Sequence, residues 1–198
     1  MNKHPLNAQV IARICHDLIS PIGAIGNGVE LLHESNGPSP ELDLIAQSAD
    51  TARHKVNFFR VAFDGPRPGA MLSGSEFSQI LCDMFANARM QVSVINAPAQ
   101  LSRDAARLFM LLTLCIENAL PLGGQLSLEH GNNDWVFDGH GRRVEVDPSL
   151  WNHLTVGEPL PEQSAARVHF PLARQALEGQ GQQLKFLAEE TNFVLRLA

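Results

Sequence analysis

A histidine, a carboxylate and a hydroxyl lie within one short stretch of the chain, ICHDLISPIGAIGNG, as His16, Asp17 and Ser20. A neutral imidazole is a nucleophile that can accept a phosphoryl group, and a neighbouring carboxylate can set its tautomer or take its proton. A serine one turn further on could hydrogen-bond the phosphoryl group or a water, or bond back to the helix beside Pro21. Asp17 could equally be an ordinary solvated charge. The residue types suit phosphoryl transfer through His16.

The apolar residues around His16 have the spacing of a helix that extends from about Ala8 to about His33. At about 100° per residue, His16 falls about 165° from the centre of the apolar stripe, so its ring should face away from the packing side. An ordinary surface histidine is the alternative. The stripe consists of Ile11, Ile14, Leu18, Ile22, Ile25, Val29 and Leu32. The face of His16 carries four further residues, Arg13, Ser20, Gly23 and Asn27.

Small residues follow the histidine, although they weaken a helix. Pro21 cannot donate to the carbonyl of Asp17, which predicts a bend. Gly23, Gly26 and Gly28 each cost about 1 kcal/mol relative to alanine. Close helix packing would explain Gly26 and Gly28, whereas Gly23 lies on the face of His16. We therefore expect Gly23 to leave room for a helix of a partner protein.

A second helix is predicted from about Pro40 to Phe63, after the turn ESNGPSP. Its apolar stripe is Leu42, Ile45, Ala49, Ala52, Val56, Phe59 and Phe63, which is close to a heptad repeat. The two helices predict an antiparallel hairpin. Two helices have one facing seam, so a second hairpin should bury the remaining apolar residues in a homodimeric four-helix bundle. Those residues are Cys15, Ile19, Leu31, Leu44 and Phe58.

The segment DGPRPGAMLSGS, residues 64–75, is rich in Pro and Gly and predicts a linker, so we expect domains at residues 1–66 and 67–198. Beyond it, helices and strands alternate, which predicts an α+β layer. Ser73 and Ser102 are the expected caps of two helices, the first ending near Ala88, and a third helix is expected at residues 164–178. Strands are predicted at QVSVI, NDWVFDG and RRVEV, after a turn in GGQLSLEH, and twice in QQLKFLAEETNFVLRLA.

Composition excludes several classes of protein. The net charge is −6, and no cluster of Lys and Arg is dense enough to follow a phosphate backbone, so nucleic acid is not an expected partner. No apolar run reaches the length of a membrane span, and the N-terminus does not look like a signal peptide. The three cysteines, Cys15, Cys82 and Cys115, lack metal-ligand spacing and fall in apolar helical patterns. We expect reduced cysteines in a cytoplasmic protein.

At HDLISP the sequence resembles the phosphoacceptor box of sensor histidine kinases, in which an acidic residue follows the histidine and a small polar residue precedes a proline. The longer stretch ARICHDLISPIGAIGNGVELL is more similar to the ChpT-type histidine phosphotransferases of bacterial phosphorelays. The resemblance extends over nearly the whole chain and includes NFFRVAFDG at the end of the second helix.

The resemblance implies a helical hairpin that forms a dimeric four-helix bundle, followed by an α/β sandwich that is a degenerate kinase ATPase domain. It implies that His16 accepts a phosphoryl group from the receiver domain of a hybrid histidine kinase and passes it to response regulators. Asp17 and Ser20 would assist. Four residues are expected to help dock the partner, namely Arg13, Gly23, Asn27 and Arg60. No cofactor is expected, because receivers bring their own Mg²⁺.

The second half lacks most of what ATP binding requires. Asn118 lies where this type of domain holds Mg²⁺, but His140 and Arg142 stand where the adenine-binding segment needs glycines. The lid region TVGEPLPEQSAA is short and has one glycine, so backbone N–H groups cannot surround phosphates. We therefore expect a phosphotransferase that does not use ATP. An ATP-dependent kinase or phosphatase remnant, and a non-enzymatic scaffold that docks receivers, remain the alternatives.

Overall fold

The computed structural model describes residues 4–37, 39–131, 134–160 and 164–197. The chain divides into two compact units, Met1–Gly65 and Pro66–Ala198. Within the described residues, no helix is both long enough and apolar enough to cross a membrane.

The first unit is a hairpin of two helices, α1 (His4–Asn36) and α2 (Pro40–Ala62). Gly37 takes a positive φ of 81° at the end of α1, a conformation that glycine adopts without strain. Ser39 caps α2 by accepting a hydrogen bond from the N–H of Leu42 at 3.2 Å, and Pro40 occupies the first turn, where its missing N–H costs nothing. Helix α1 continues through Pro21 without a break.

The single apolar stripe predicted for α1 is two faces in the structure. Of the predicted stripe, Val29 is buried in the hairpin at 5% exposure, and Ile11 and Ile22 are half-buried; Cys15, next to the stripe, is buried on the same side at 6% exposure. The other four positions of the predicted stripe remain between 45% and 52% exposed, and they are Ile14, Leu18, Ile25 and Leu32. The buried and the exposed apolar residues lie next to each other around the helix, so the helical projection of the sequence showed them as one stripe.

The surplus apolar residues also divide differently from the prediction. Cys15 and Phe58 were expected to need a second hairpin, but both are buried in the single chain, at 6% and 0% exposure, so that expectation was wrong for them. Ile19 is half-buried. Leu31 and Leu44 are exposed at 65% and 64%, as the prediction requires.

The second unit is built on a five-stranded sheet with the order β2-β4-β5-β7-β6. Strands β2 and β4 are parallel, and the other neighbours are antiparallel. The strands are β1 (Met71–Ser73), β2 (Met90–Ile95), β3 (Gln100–Ser102), β4 (Gly124–His130), β5 (Trp135–Gly141), β6 (Leu184–Ala188) and β7 (Asn192–Leu197), and β1 and β3 form a separate two-stranded sheet. The helices are α3 (Gly74–Phe85), α4 (Arg103–Ala119), α5 (Pro148–Val156) and α6 (His169–Gln180).

An aromatic cluster joins the helices to one face of the sheet. Phe77 of α3 and Phe109 of α4 contact each other at 6.0 Å between ring centroids. Phe109 also contacts Trp135 and Phe137 of β5, at 4.7 and 5.8 Å. Alternate residues of β4 and β5 are buried on this side, as a sheet with one covered face requires. The predicted fold class, a helical hairpin followed by an α/β sandwich, is confirmed.

The start residues of α3 and α4 were predicted correctly from their capping serines, whereas helix α5 was not predicted. Ser73 and Ser102 cap α3 and α4 as expected, each accepting a backbone N–H at 3.1 Å. Helix α5 was not predicted, although Asp147 caps it and Gly157 ends it in a left-handed conformation. Helix α6 begins at His169, after a 3-10 turn (Ala165–Arg167), and not at residue 164.

Two segments predicted as a strand and a linker differ in the structure. RRVEV, residues 142–146, is not a strand, because its backbone makes isolated bonds to two different segments. Val144 donates to the carbonyl of Glu190, and Glu145 donates to that of Ala119. The predicted linker at residues 64–75 contains β1, whose edge is paired with β3.

Candidate functional site

His16 lies in the first half of α1 with 81% of its side chain exposed. Its exposure follows from its angular position, since the residues that pack against α2 lie on another face of the helix. An exposed ring can be reached by a second protein.

Asp17 and Arg13 form a network with the imidazole. The Nε–H of Arg13 donates to Oδ2 of Asp17 at 2.8 Å, one helical turn away. The other carboxylate oxygen, Oδ1, lies 3.2 Å from Nδ1 of His16. The hydrogen bond with His16 and, secondarily, that with Arg13 lower the pKa of the Asp17 carboxyl. Asp17 is therefore held as a carboxylate beside the ring.

The carboxylate selects the tautomer of His16. An ionised carboxylate can only accept hydrogen bonds, so Nδ1 of His16 carries the proton that it donates to Asp17. The lone pair of the neutral ring is then on Nε2. Nε2 has no hydrogen-bond partner among the described residues. The geometry leaves the lone pair of Nε2 exposed to a second molecule.

The remaining residues predicted on this face are present but not in contact with the ring. Ser20 and Asn27 are exposed, and Gly23 is half-buried. The described residues contain no hydrogen bond from the Ser20 hydroxyl, so its predicted alternative of bonding back to the helix is not what the structure shows. A Cβ built on Gly23 meets nothing within 4 Å.

Gly26 and Gly28 were expected to allow close packing between helices, and within the single chain this expectation was wrong. A Cβ on Gly26 or on Gly28 also meets nothing within 4 Å, so no helix of this chain approaches them closely. All three glycines of α1 thus leave open space beside the helix.

Arg60 of α2 lies near the residue before His16. Burial raises the pKa of the Cys15 thiol, and the positive charge of Arg60 opposes that rise. Because electrostatic influence on a side chain falls off over a short distance, Arg60 belongs to the part of α2 that faces Cys15. The side chain is exposed, so it is available to a partner at this end of the hairpin.

In the second unit, Asn118, which lies where a kinase domain would hold Mg²⁺, contacts a histidine of the same chain. Nδ2 of Asn118, at the end of α4, lies 3.1 Å from Nε2 of His169, at the start of α6. His169 is only 7% exposed, and burial lowers its pKa to about 4. A neutral imidazole therefore fills the position beside Asn118. Sequence analysis did not single out this pair, because the two residues lie 51 positions apart.

The glycines of FDGHG are explained by the sheet. A Cβ on Gly139 would collide with the ring of Phe193 on the neighbouring strand. A Cβ on Gly141 would lie 2.7 Å from the carbonyl oxygen of Gly123. Asp138 and His140 point to the exposed face of the sheet. Within the described residues, no three His, Cys, Asp or Glu side chains form a group that could hold a metal ion.

Among the described side chains of the hairpin, His16 is the exposed histidine, and an α/β domain follows the hairpin, as the resemblance to histidine phosphotransferases predicts. The family model for the histidine phosphotransferase C-terminal domain matches residues 74–192. The chain belongs to the histidine phosphotransferase family.

Known relatives agree with this assignment. The chain is 32% identical over 150 residues to Protein phosphotransferase ChpT of Brucella abortus (strain 2308), covering 73% of this chain and 72% of that protein. A solved bacterial phosphotransferase matches all of this chain and 98% of its own with a TM-score of 0.72 and 25% identity. The protein is a histidine phosphotransferase.

Proposed function

We propose that the protein is the intermediate of a multistep phosphorelay and that His16 carries the phosphoryl group. Its donor is the phosphorylated aspartate of a receiver domain, such as that of a hybrid histidine kinase, and its acceptors are the aspartates of response regulators. The observation that carries the proposal is the exposed His16 ring, whose Nδ1 is bonded to Asp17 and whose Nε2 is left to react.

The chemical step is a displacement at phosphorus. The lone pair on Nε2 of His16 attacks, the N–P bond forms, and the P–O bond to the aspartyl carboxylate breaks with its electron pair. The ring gains a positive charge while its proton remains on Nδ1, facing the carboxylate of Asp17, which stabilises that charge. The reverse displacement on a second receiver regenerates the neutral ring. The receiver supplies the Mg²⁺, and no cofactor of this chain is required.

Docking of the receiver involves the open face of α1. Gly23 provides room for a helix, and Asn27 and Arg60 are exposed polar groups at its margin. Ser20, one turn from His16, is free to hydrogen-bond the incoming phosphoryl group. Arg13 offers a positive charge, although its guanidinium is engaged with Asp17.

We further propose that the second unit does not bind ATP. The buried ring of His169 fills the position beside Asn118, and the glycines of FDGHG are required by the sheet. Calorimetry with millimolar Mg-ATP should give no binding heat, and incubation with labelled ATP should leave the protein unlabelled. Micromolar binding or autophosphorylation would favour the alternative of an ATP-dependent kinase or phosphatase remnant.

The oligomer we propose is a homodimer, in the cytoplasm, whose two hairpins form a four-helix bundle. Along one side of α1 lie the apolar residues Ile14, Leu18, Ile25 and Leu32, which are each between 45% and 52% exposed. On α2, Leu44 and Ile45 are 64% and 46% exposed. A contiguous apolar surface of this kind marks an interface between proteins.

The decisive experiment mixes the protein with a receiver that carries radiolabelled aspartyl phosphate. Wild-type protein should acquire acid-labile label, and His16→Ala should acquire none while it binds the receiver with the same affinity. His140→Ala, which removes an exposed ring from β5, is the control and should be labelled like the wild type. Receiver binding without label on any variant would favour the non-enzymatic scaffold.

A further inference from the structure

The contact between His16 and Asp17 is unusual for two residues that are adjacent in a helix. Side chains at positions i and i+1 point about 100° apart and do not normally face each other. Here one carboxylate oxygen nevertheless reaches the ring, at 3.2 Å from Nδ1. Some other group must determine the orientation of the Asp17 side chain.

Arg13 is placed to determine that orientation. It lies one turn before Asp17, and around the helix it falls between His16 and Asp17. Side chains in a helix lean toward its N-terminus, so the Asp17 carboxylate leans toward the turn that carries Arg13. The guanidinium binds Oδ2 at 2.8 Å, while the ring is contacted by the other oxygen, Oδ1. The two contacts thus use different oxygens of one carboxylate.

We propose that Arg13 is a positioning residue of the transfer reaction, which orients Asp17 so that Oδ1 faces Nδ1 of His16 and Nε2 keeps its lone pair. The inference rests on the proposed role of His16 and deepens it. It assigns Arg13 a function inside the single chain, different from that of a charge that docks the receiver. Arg13 itself does not touch the reacting atoms.

If the ion pair between Arg13 and Asp17 served only to stabilise the helix, its loss would destabilise the hairpin and leave the reactivity of a folded His16 unchanged. The side chains of Arg13 and Asp17 are 74% and 49% exposed, and ion pairs this exposed contribute little to folding. The loss of Arg13 should therefore leave the hairpin folded and change the reactivity of His16. The chain also offers a matched control, because Arg53 and Asp50 of α2 form an exposed pair at 2.7 Å with 52% and 59% exposure.

The first test measures labelling by phosphoramidate, a small donor that needs no docking surface. In this reaction Nε2 displaces ammonia from phosphorus, so the N–P bond of the donor breaks as the bond to His16 forms. Arg13→Ala should slow labelling about tenfold, because one preorganised group that stabilises developing charge typically contributes about 10²- to 10³-fold and only part of that depends on Arg13. Arg13→Lys should retain most of the rate, and Arg53→Ala should retain all of it.

A double-mutant cycle then asks whether Arg13 acts through Asp17. If it does, Arg13→Ala should have less than about a twofold effect when Asp17→Asn is already present. Equal slowing in both backgrounds would overturn the proposal, and so would an Arg13→Ala rate equal to that of Arg53→Ala. Weaker receiver binding with an unchanged phosphoramidate rate would also overturn it and would assign Arg13 to docking.

The second test reads the tautomer directly from the ¹⁵N shifts of the His16 ring, assigned by comparison with His16→Ala. The wild type should carry its proton on Nδ1, Arg13→Ala should shift the population toward Nε2–H, and Arg53→Ala should not. An unchanged tautomer in Arg13→Ala would overturn the proposal. Absence of label on wild-type His16 would overturn the proposed function, whereas the tautomer would still test the positioning role.

Discussion

Gly23 weakens α1, and no atom of the described residues outside its own stretch of helix approaches closely enough to require a glycine there. A side chain there would have open space, since a Cβ meets nothing within 4 Å. A glycine in a helix interior costs about 1 kcal/mol relative to alanine. The position lies on the face of His16, about two turns beyond the ring. This open space is consistent with the proposed role of Gly23 in docking a partner helix.

Gly23→Leu should leave the protein at least as stable and weaken receiver binding about tenfold or more, because the added side chain would occupy the space of a partner helix. The thermal unfolding temperature and the receiver dissociation constant would be measured together. Labelling of His16 by phosphoramidate should be unchanged. Gly179→Leu is the matched control, since a Cβ on this helical glycine of α6 also meets nothing within 4 Å. Undiminished receiver affinity would exclude Gly23 from the docking surface.

Much of the candidate site follows from the sequence, but its internal geometry does not. Helical periodicity is sufficient to put His16 opposite the apolar residues, and the structure leaves the ring exposed. The contact between Asp17 and Nδ1 depends on a side-chain rotamer, which spacing does not determine. Helical spacing is compatible with an Arg13 side chain that points to solvent or one that bonds Asp17. In the structure, Arg13 donates a hydrogen bond to Asp17.

Among the elements, α4 and α6 meet at a buried polar pair, and this pair makes stability depend on pH. Asn118 contacts His169, whose pKa is lowered from 6.5 to about 4 by burial. The unfolded chain takes up a proton on this ring below about pH 6.5, whereas the folded protein does so only below about pH 4. The folded state should lose stability as the pH falls from 6.5 to about 4, with no further loss below it.

His169→Gln should flatten the pH dependence of unfolding between pH 6.5 and 5, because glutamine does not titrate and can still hydrogen-bond Asn118. Denaturant midpoints would be followed by tryptophan fluorescence, since Trp135 and Trp151 both report on the second unit and Trp151 contacts Phe170. His140→Gln, at an exposed position of β5, should keep the wild-type slope. Identical slopes for all three proteins would show that His169 is not protonated on unfolding.

Helices in which a cap precedes a clear apolar periodicity were predicted, whereas one predicted strand is a loop and the short helix α5 was missed. Ser73 and Ser102 cap α3 and α4, and both helices were expected at these residues. The alternating pattern of RRVEV favours a strand, but none of the strands in the described part of the chain pairs with it along its length, so it forms a loop. Helix α5 is short, with 9 residues, and too few apolar positions repeat in it for periodicity to stand out.

In the whole molecule, the hairpin carries more apolar surface than its two helices can cover. Ile25 is 51% exposed, while Phe59 of α2 is half-buried and contacts the rings of Phe58 and Phe63 at 6.0 and 5.5 Å. The two residues belong to one predicted apolar core, but the structure gives them different surroundings. Substitution at each should therefore have a different consequence.

Ile25→Asp should yield a folded monomer, because the charge would be buried only in the contact between two hairpins, where it has no partner. Phe59→Asp should instead reduce helical content, because it disrupts the packing of α2 within one chain. Sedimentation equilibrium at micromolar concentration should give about twice 21.7 kDa for the wild type and 21.7 kDa for Ile25→Asp. Leu122→Asp, at a position 57% exposed in the second unit, controls for a new surface charge and should remain dimeric. A wild type that sediments as a stable monomer would contradict the four-helix bundle and leave the exposed stripe of α1 to another partner, such as the receiver itself.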